Sequence, residues 1–191
     1  KMGTTADIRN GAVILYKDKR MKVLEFQHVK PGKGGAFVRT KLKDILSGKI
    51  IDETFNAGSK LEFIRLEARE MQFLYNDDHF HVFMDNNTFD QLNVECSFIG
   101  DKKYYLQGGM NIDLLFDGDE VLDIRLPSHV VLKVKDTEPG LKGNTATGAT
   151  KPATVETGLT LNVPLFISEG DKLRIDTRTG EYVERAKNRN L

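Results

Sequence analysis

Lys33 is the residue in this chain best placed to do chemistry. It sits in Val29-Lys30-Pro31-Gly32-Lys33-Gly34-Gly35-Ala36-Phe37, with no bulky side chain within two positions. An ammonium at such a tip can meet an anion. A Schiff-base role would need desolvation to lower its pKa, and an exposed glycine-rich tip provides none. The plain alternative is a soluble turn whose lysine simply faces water. His79 and His81 form a second candidate: two apart on a strand, they would share a face, as a metal pair does. No third ligand lies near them, because Asp77 and Asp78 belong to the preceding turn, so the expectation is no metal. A metal-dependent enzyme built on the two histidines stays open to metal analysis. Cys96 is the one cysteine; it has no partner for an internal disulfide and reads as packing in a reducing cytoplasm. There is no G-x-S-x-G, H-E-x-x-H or Walker loop. The glycines and lysines of 30–34 lack the spacing of a phosphate-binding loop. No catalytic residue, metal or cofactor is expected, and the chain is not expected to be an enzyme.

Nucleic-acid contact fits the cations better. Lys22, Lys30, Lys33, Arg39, Lys41 and Lys43 lie in one hairpin unit, where several could meet phosphates together. Lys142 lies within a loop rich in Gly, Thr and Pro, residues 136–150, and Lys151 just beyond it. Arg178 sits among hydroxyl donors in Asp176-Thr177-Arg178-Thr179-Gly180-Glu181-Tyr182. The net charge of zero over 191 residues conceals a gradient: +6 in residues 1–64, −8 in 65–128 and +2 in 129–191. A basic first third that meets polyanion, beside an acidic middle that faces solvent or a basic partner, accounts for it.

These residues need stiff elements behind them. Alternating apolar and polar residues predict strands at Met21–Val29 and Ala36–Leu42, with Pro31, Gly32, Gly34 and Gly35 turning the chain. Further strands are expected at 12–16, 49–55, 61–64, 65–75, 79–84, 110–116, 120–126 and 130–134, and four more after residue 153. Asn87–Asn93 reads as a helical turn capped by Asn87, and Ser97–Gln107 as a short helix ending at Gly108-Gly109. Residues 136–150 form a long loop. No apolar run approaches the ~20 residues of a membrane span, and no signal peptide is visible. Turn density and the two charge boundaries predict an all-β chain of small barrels, 1–64, 65–128 and 129–191, of the size of an oligonucleotide-binding (OB) fold.

Several stretches together resemble the bacterial elongation factor P family over nearly the whole chain. They are Asp7-Ile8-Arg9-Asn10-Gly11, the tip from Lys30 to Phe37, Met71–Asp77 with Phe83–Phe89, Pro139–Thr145, Lys151–Gly158, Val163–Ile167 and Asp176–Tyr182. The resemblance implies an SH3-like (KOW-like) first domain and two OB-fold domains in an L-shaped, tRNA-like arrangement. It implies a cytoplasmic monomer that binds the 70S ribosome between the P and E sites, against rRNA and ribosomal proteins near the E site. There it would stimulate peptide-bond formation and relieve stalling at consecutive prolines by positioning the P-site peptidyl-tRNA. Lys33 matches the lysine that a modifying enzyme often extends; β-lysylation, an aminoalcohol extension and no modification all stay open. The residues expected at RNA or tRNA are Lys30, Pro31, Gly32, Gly34, Gly35, Arg39, Lys41, Gly143, Asn144, Thr145, Arg178, Thr179, Gly180, Glu181 and Tyr182. Asn144 stands where the family often has aspartate; it keeps an acceptor, gains a donor and loses the charge. A generic RNA-binding protein or RNA chaperone on the same barrels is the alternative.

Overall fold

The computed structural model describes residues 1–140 and 148–187. Its strands form three sheets. The first comprises β1 (Met2–Thr4), β2 (Val13–Tyr16), β3 (Lys19–Val29), β4 (Phe37–Asp44), β5 (Ile50–Asn56) and β6 (Lys60–Ile64), in the order β1-β6-β2-β3-β4-β5. The second comprises β7 (Glu67–Asn76), β8 (Phe80–Asp85), β9 (Gln91–Glu95), β10 (Asn111–Asp117) and β11 (Glu120–Arg125), in the order β11-β10-β7-β8-β9. The third comprises β12 (His129–Thr137), β13 (Thr150–Val155), β14 (Thr160–Pro164), β15 (Lys172–Asp176) and β16 (Tyr182–Arg185), in the order β14-β13-β12-β15-β16. A single helical turn α1 (Cys96–Ile99) runs into a 3-10 stretch, Gly100–Tyr105. The chain divides into two compact units, Lys1–Glu67 with Leu115–Leu122, and Ala68–Leu114 with Asp123–Leu191.

The first unit shows how alternation places the cations. Along β4, Val38, Thr40, Leu42 and Asp44 are buried, while Arg39 and Lys43 are exposed and Lys41 is half-buried. Period two therefore sends one set into a core shared with Ile8, Ile14, Met21, Val23 and Leu61, and the basic set outward. The β3–β4 register slips between Val23 and Glu25. An irregularity of this kind bends and twists the strand that carries it. Within the same unit the Arg20 guanidinium bonds Asp117 Oδ2 at 3.2 Å and Glu120 Oε1 at 2.8 Å, which fixes the start of β3 to the turn after β10. Arg20 holds the Glu120 carboxyl below the usual carboxylate range, chiefly through that hydrogen bond.

The second unit holds two other cores. Val130, Leu132, Val134, Val163, Leu173 and Ile175 are buried from alternate positions of the third sheet, and Met71, Phe73, Val82 and Phe83 line the second. Two expectations fail here. Residues 87–93 are not helical: Asp85 to Asp90 is a tight turn and β9 begins at Gln91. Its Asx hydrogen bonds, from the amides of Asn87 and Thr88 to Asp85 Oδ1, are those a helix cap would make, so the sequence signal is shared. Nor do the histidines share an exposed face. His79 precedes β8, whereas His81 is 2% exposed, rests against the Phe73 ring at 5.7 Å and lies 3.3 Å from the Cys96 thiol through Nδ1. Burial, with Lys103 adding to it, lowers the His81 pKa and keeps the imidazole neutral.

Candidate nucleic-acid interface

The tip is the loop of seven residues, 30–36, between β3 and β4. Residues Lys30 to Gly35 are all exposed. Among the described residues, Lys33 has no hydrogen bond or ion pair. Gly34 needs to be glycine for its backbone, with φ +101°. Gly32 and Gly35 do not: a Cβ on either would meet nothing within 4 Å. Packing inside the chain therefore does not require those two glycines. What they give the loop is thinness, with its backbone uncovered.

Below the tip, strand register separates the candidate cations. Arg39 pairs with Gln27 on β3 and Thr54 on β5, and its guanidinium carbon lies 5.4 Å from the Phe37 ring centre. Its two cross-strand neighbours carry no charge, so its own charge is available to an anion. Lys41 stands between Glu25 and Asp52. Two carboxylates beside one ammonium oppose any phosphate, so the field at Lys41 is weaker than the sequence suggests. All six side chains border one shallow groove on the outer face of the sheet.

The turn between β15 and β16 carries Arg178 on a tied frame. Asp176 Oδ1 accepts the Arg178 amide at 2.8 Å, and Asp176 Oδ2 the guanidinium at 3.3 Å. These bonds, the guanidinium first, hold the Asp176 carboxyl below its ordinary pKa. The Gly180 amide donates to Asp176 O at 2.8 Å, and the Glu181 amide to the Thr179 hydroxyl at 3.3 Å. Thr177 anchors the turn from outside, its hydroxyl donating to Pro127 O and Ser128 O at 2.5 and 3.1 Å. Gly180 has φ +74°, and a Cβ there would lie 2.9 Å from the Tyr105 hydroxyl. Thr179 and Glu181 are exposed, and Tyr182 packs partly on the core. Gly143, Asn144 and Thr145 lie outside the described residues. Sequence reading placed the Thr177 hydroxyl beside Arg178 but not its bonds to Pro127 and Ser128, and missed Tyr105, whose hydroxyl lies over Gly180; both lie about fifty residues or more from their partners in the chain.

Comparison with known proteins accounts for all three sheets. The elongation factor P KOW-like domain matches residues 4–61, the elongation factor P OB domain 66–124, and the elongation factor P C-terminal family 130–185. A protein of Corynebacterium urealyticum named elongation factor P is 48% identical over 184 residues, covering 96% of this chain and 98% of its own. That of Corynebacterium kroppenstedtii is 50% identical over 187 residues, 98% of this chain and all of its own. That of Streptomyces coelicolor is 49% identical over 185 residues, 96% of this chain and 98% of its own. Among solved structures, the translation initiation factor 5A of Methanococcus jannaschii shares the fold at TM-score 0.51 and 19% identity, over 65% of this chain and 94% of that one.

Proposed function

Because the chain belongs to the elongation factor P family of translation factors, we propose that it binds the ribosome between the P and E sites and speeds peptide-bond formation at consecutive prolines. Proline is a rigid, poor nucleophile, so the two substrates meet in an unreactive pose. A factor that orients the end of peptidyl-tRNA restores a near-attack geometry, and orientation is worth several kcal/mol without any acid or base from the protein. The chain acts as a positioning factor and performs no catalysis itself. It works as a cytoplasmic monomer with three domains, 1–64, 65–128 and 129–191, a division in keeping with the three sheets and the three family matches.

Lys33 reaches toward the tRNA end, and an enzyme that lengthens its side chain would extend that reach. Arg39 contacts phosphate beside it, with Lys30, Pro31, Gly32, Gly34, Gly35 and the partly neutralised Lys41 lining the approach. Gly143, Asn144, Thr145 and the turn of Arg178, Thr179, Gly180, Glu181 and Tyr182 hold the third domain to RNA. The observation that carries this reading is the Lys33 ammonium, without a partner among the described residues, on a thin tip. Lys33→Ala should leave thermal melting unchanged and abolish the rescue of a polyproline message in a reconstituted translation assay. Full rescue by the variant would remove Lys33 from the mechanism, and equal effects on proline-free messages would favour a general RNA chaperone.

A further inference from the structure

Three six-residue turns, one at each sheet, share a single hydrogen-bond frame. They are Asp44-Ile45-Leu46-Ser47-Gly48-Lys49, Asp85-Asn86-Asn87-Thr88-Phe89-Asp90 and Asp176-Thr177-Arg178-Thr179-Gly180-Glu181. In each, the first amide donates to the sixth carbonyl, at 2.9, 2.9 and 3.0 Å, and the fifth amide to the first carbonyl at 2.8 Å. The sixth amide donates to the Ser or Thr hydroxyl at 3.2, 3.3 and 3.3 Å. The third amide donates to Oδ1 of the Asp at 2.9, 2.7 and 2.8 Å. The frame thus uses Oδ1 of its aspartate and leaves Oδ2 to other groups. Oδ2 of Asp176 takes the Arg178 guanidinium. Oδ2 of Asp44 has the Lys19 ammonium 3.7 Å away, and Asp44 borders a pocket.

The pocket lies in the first unit, at the end of the β3–β4 hairpin remote from Lys33. The eleven residues of β3 separate the two places by roughly 30 Å of strand, too far for one nucleotide to reach both. The pocket holds about 140 Å³. A cavity of about 150 Å³ takes up one benzene ring, so a single planar ring fits and a purine would project. Tyr16, Met21 and Ile51 supply apolar walls, and Lys17, Lys19 and Lys49 stand around Asp44. The Tyr16 wall is fixed: its hydroxyl donates to Glu53 Oε2 at 2.5 Å, and its ring meets Phe55 edge-on at 5.6 Å. The placing of Lys17 is costly. It and Asp18 form the two-residue turn between β2 and β3, at φ +50° and +61°, where hairpins prefer Asn-Gly. Aspartate tolerates that region, but lysine has no local gain there. An outlier of this kind points from structure to function. The Lys17 ammonium lies 5.2 Å from the centre of the Tyr16 ring, beside the pocket.

We propose that this pocket binds a pyrimidine nucleotide, cytidine before uridine, with the base against Tyr16, its N4 amine donating to Asp44 Oδ2 and its phosphate on Lys17 and Lys49. Each part matches a known preference: bases stack on aromatic rings, carboxylates accept from the cytosine amine and lysine receives phosphate as a point charge. Uracil turns an acceptor, O4, toward the same carboxylate and is disfavoured. Inorganic phosphate suits the lysines but leaves the apolar walls unused. The site is independent of the ribosomal reading above. Its nucleotide is one chemistry with two sources, a free mononucleotide or an unstacked residue of single-stranded RNA.

The test is an NMR titration of the isotope-labelled full chain with CMP, UMP and inorganic phosphate, and with cytidine and uridine pentanucleotides. It follows the Leu46 and Ser47 amides, which both donate to Asp44 Oδ1. Cytidine ligands should move these amides saturably, their uridine counterparts should bind about tenfold more weakly, and phosphate should leave them in place. CMP binding as tightly as the pentanucleotide supports the site with a free nucleotide as its source; a pentanucleotide binding far tighter than CMP supports it with RNA as the source. No saturable shift from either, equal shifts from phosphate, or equal affinity for cytidine and uridine overturns it. Asp44→Asn keeps an Oδ1 for the Leu46 amide and offers N–H groups in place of Oδ2, so it should turn the preference toward uridine; an unchanged preference overturns the role of Asp44. Lys17→Gly relieves the φ of +50°, so it should raise the melting temperature and weaken CMP about fivefold without changing the affinity for cytidine, which lacks the phosphate. Undiminished CMP affinity in that variant overturns the role of Lys17.

Discussion

Lys33 and Arg178 are both cations at the ends of β-hairpins, yet the chain treats them in opposite ways. The tip around Lys33 holds its ammonium without a partner among the described residues. The turn around Arg178 ties its cation to Asp176 and satisfies its own amides with backbone and side-chain acceptors. The tip gives its side chains no support of their own, and under the proposed function a partner sets its shape. The turn is built for fixed presentation, and its side chain, 79% exposed, arrives already oriented. Ordering a flexible group on binding costs entropy that a preformed turn has already met. The same charge is thus left unsupported at one place and fixed in advance at another.

Three changes would break or sharpen this contrast. Gly180→Val should have the largest effect on stability. It forces a branched side chain to φ +74° and against Tyr105, and should cost about 2 kcal/mol, read as a lower urea midpoint. A cost near zero would mean the turn is not fixed. Acid should come next. The Asp176 pKa is depressed in the folded chain, so its stabilisation is present above the unfolded value. It is lost as pH falls through the folded one. The Arg178 amide resonance should therefore titrate below pH ~4, while amides of the tip, which lacks a carboxylate, stay put. The smallest effect on stability belongs to Gly32→Ala and Gly35→Ala, within about 0.5 kcal/mol, since nothing in the chain occupies the space a Cβ would take. If thinness is what the tip needs, the same variants slow polyproline synthesis with folding intact. Full activity would show the tip has room to spare.

Much of the architecture is legible in the sequence because strands with one buried face alternate visibly. The reading of Met21–Val29 falls within β3, Lys19–Val29, and Lys33 lies on the loop it was expected to occupy. Failures cluster where one chemical signal serves two structures. Asp, Asn and Thr accept an amide two residues on whether a helix starts or a turn closes, so Asp85–Asp90 could be read either way. The two histidines were paired by period, but the period starts only at Phe80, leaving His79 outside the strand. Charge was legible and its cancellation was not. Lys41 looks like Arg39 in sequence, and only the cross-strand register reveals Glu25 and Asp52 beside it. The repeated turn is not legible in sequence because its three copies share just the Asp and the Ser or Thr, and the frame is otherwise made by backbone.

That frame has a consequence for how such a chain can diversify. A hexapeptide that closes on its own amides asks little of its surroundings, so it behaves as an interchangeable fitting. Leu46, Asn87 and Arg178 occupy its third place in the three copies, one apolar, one neutral and one cationic, on the same bonds. Surface chemistry can be rewritten at that place by single substitutions, without the strands beneath having to adjust.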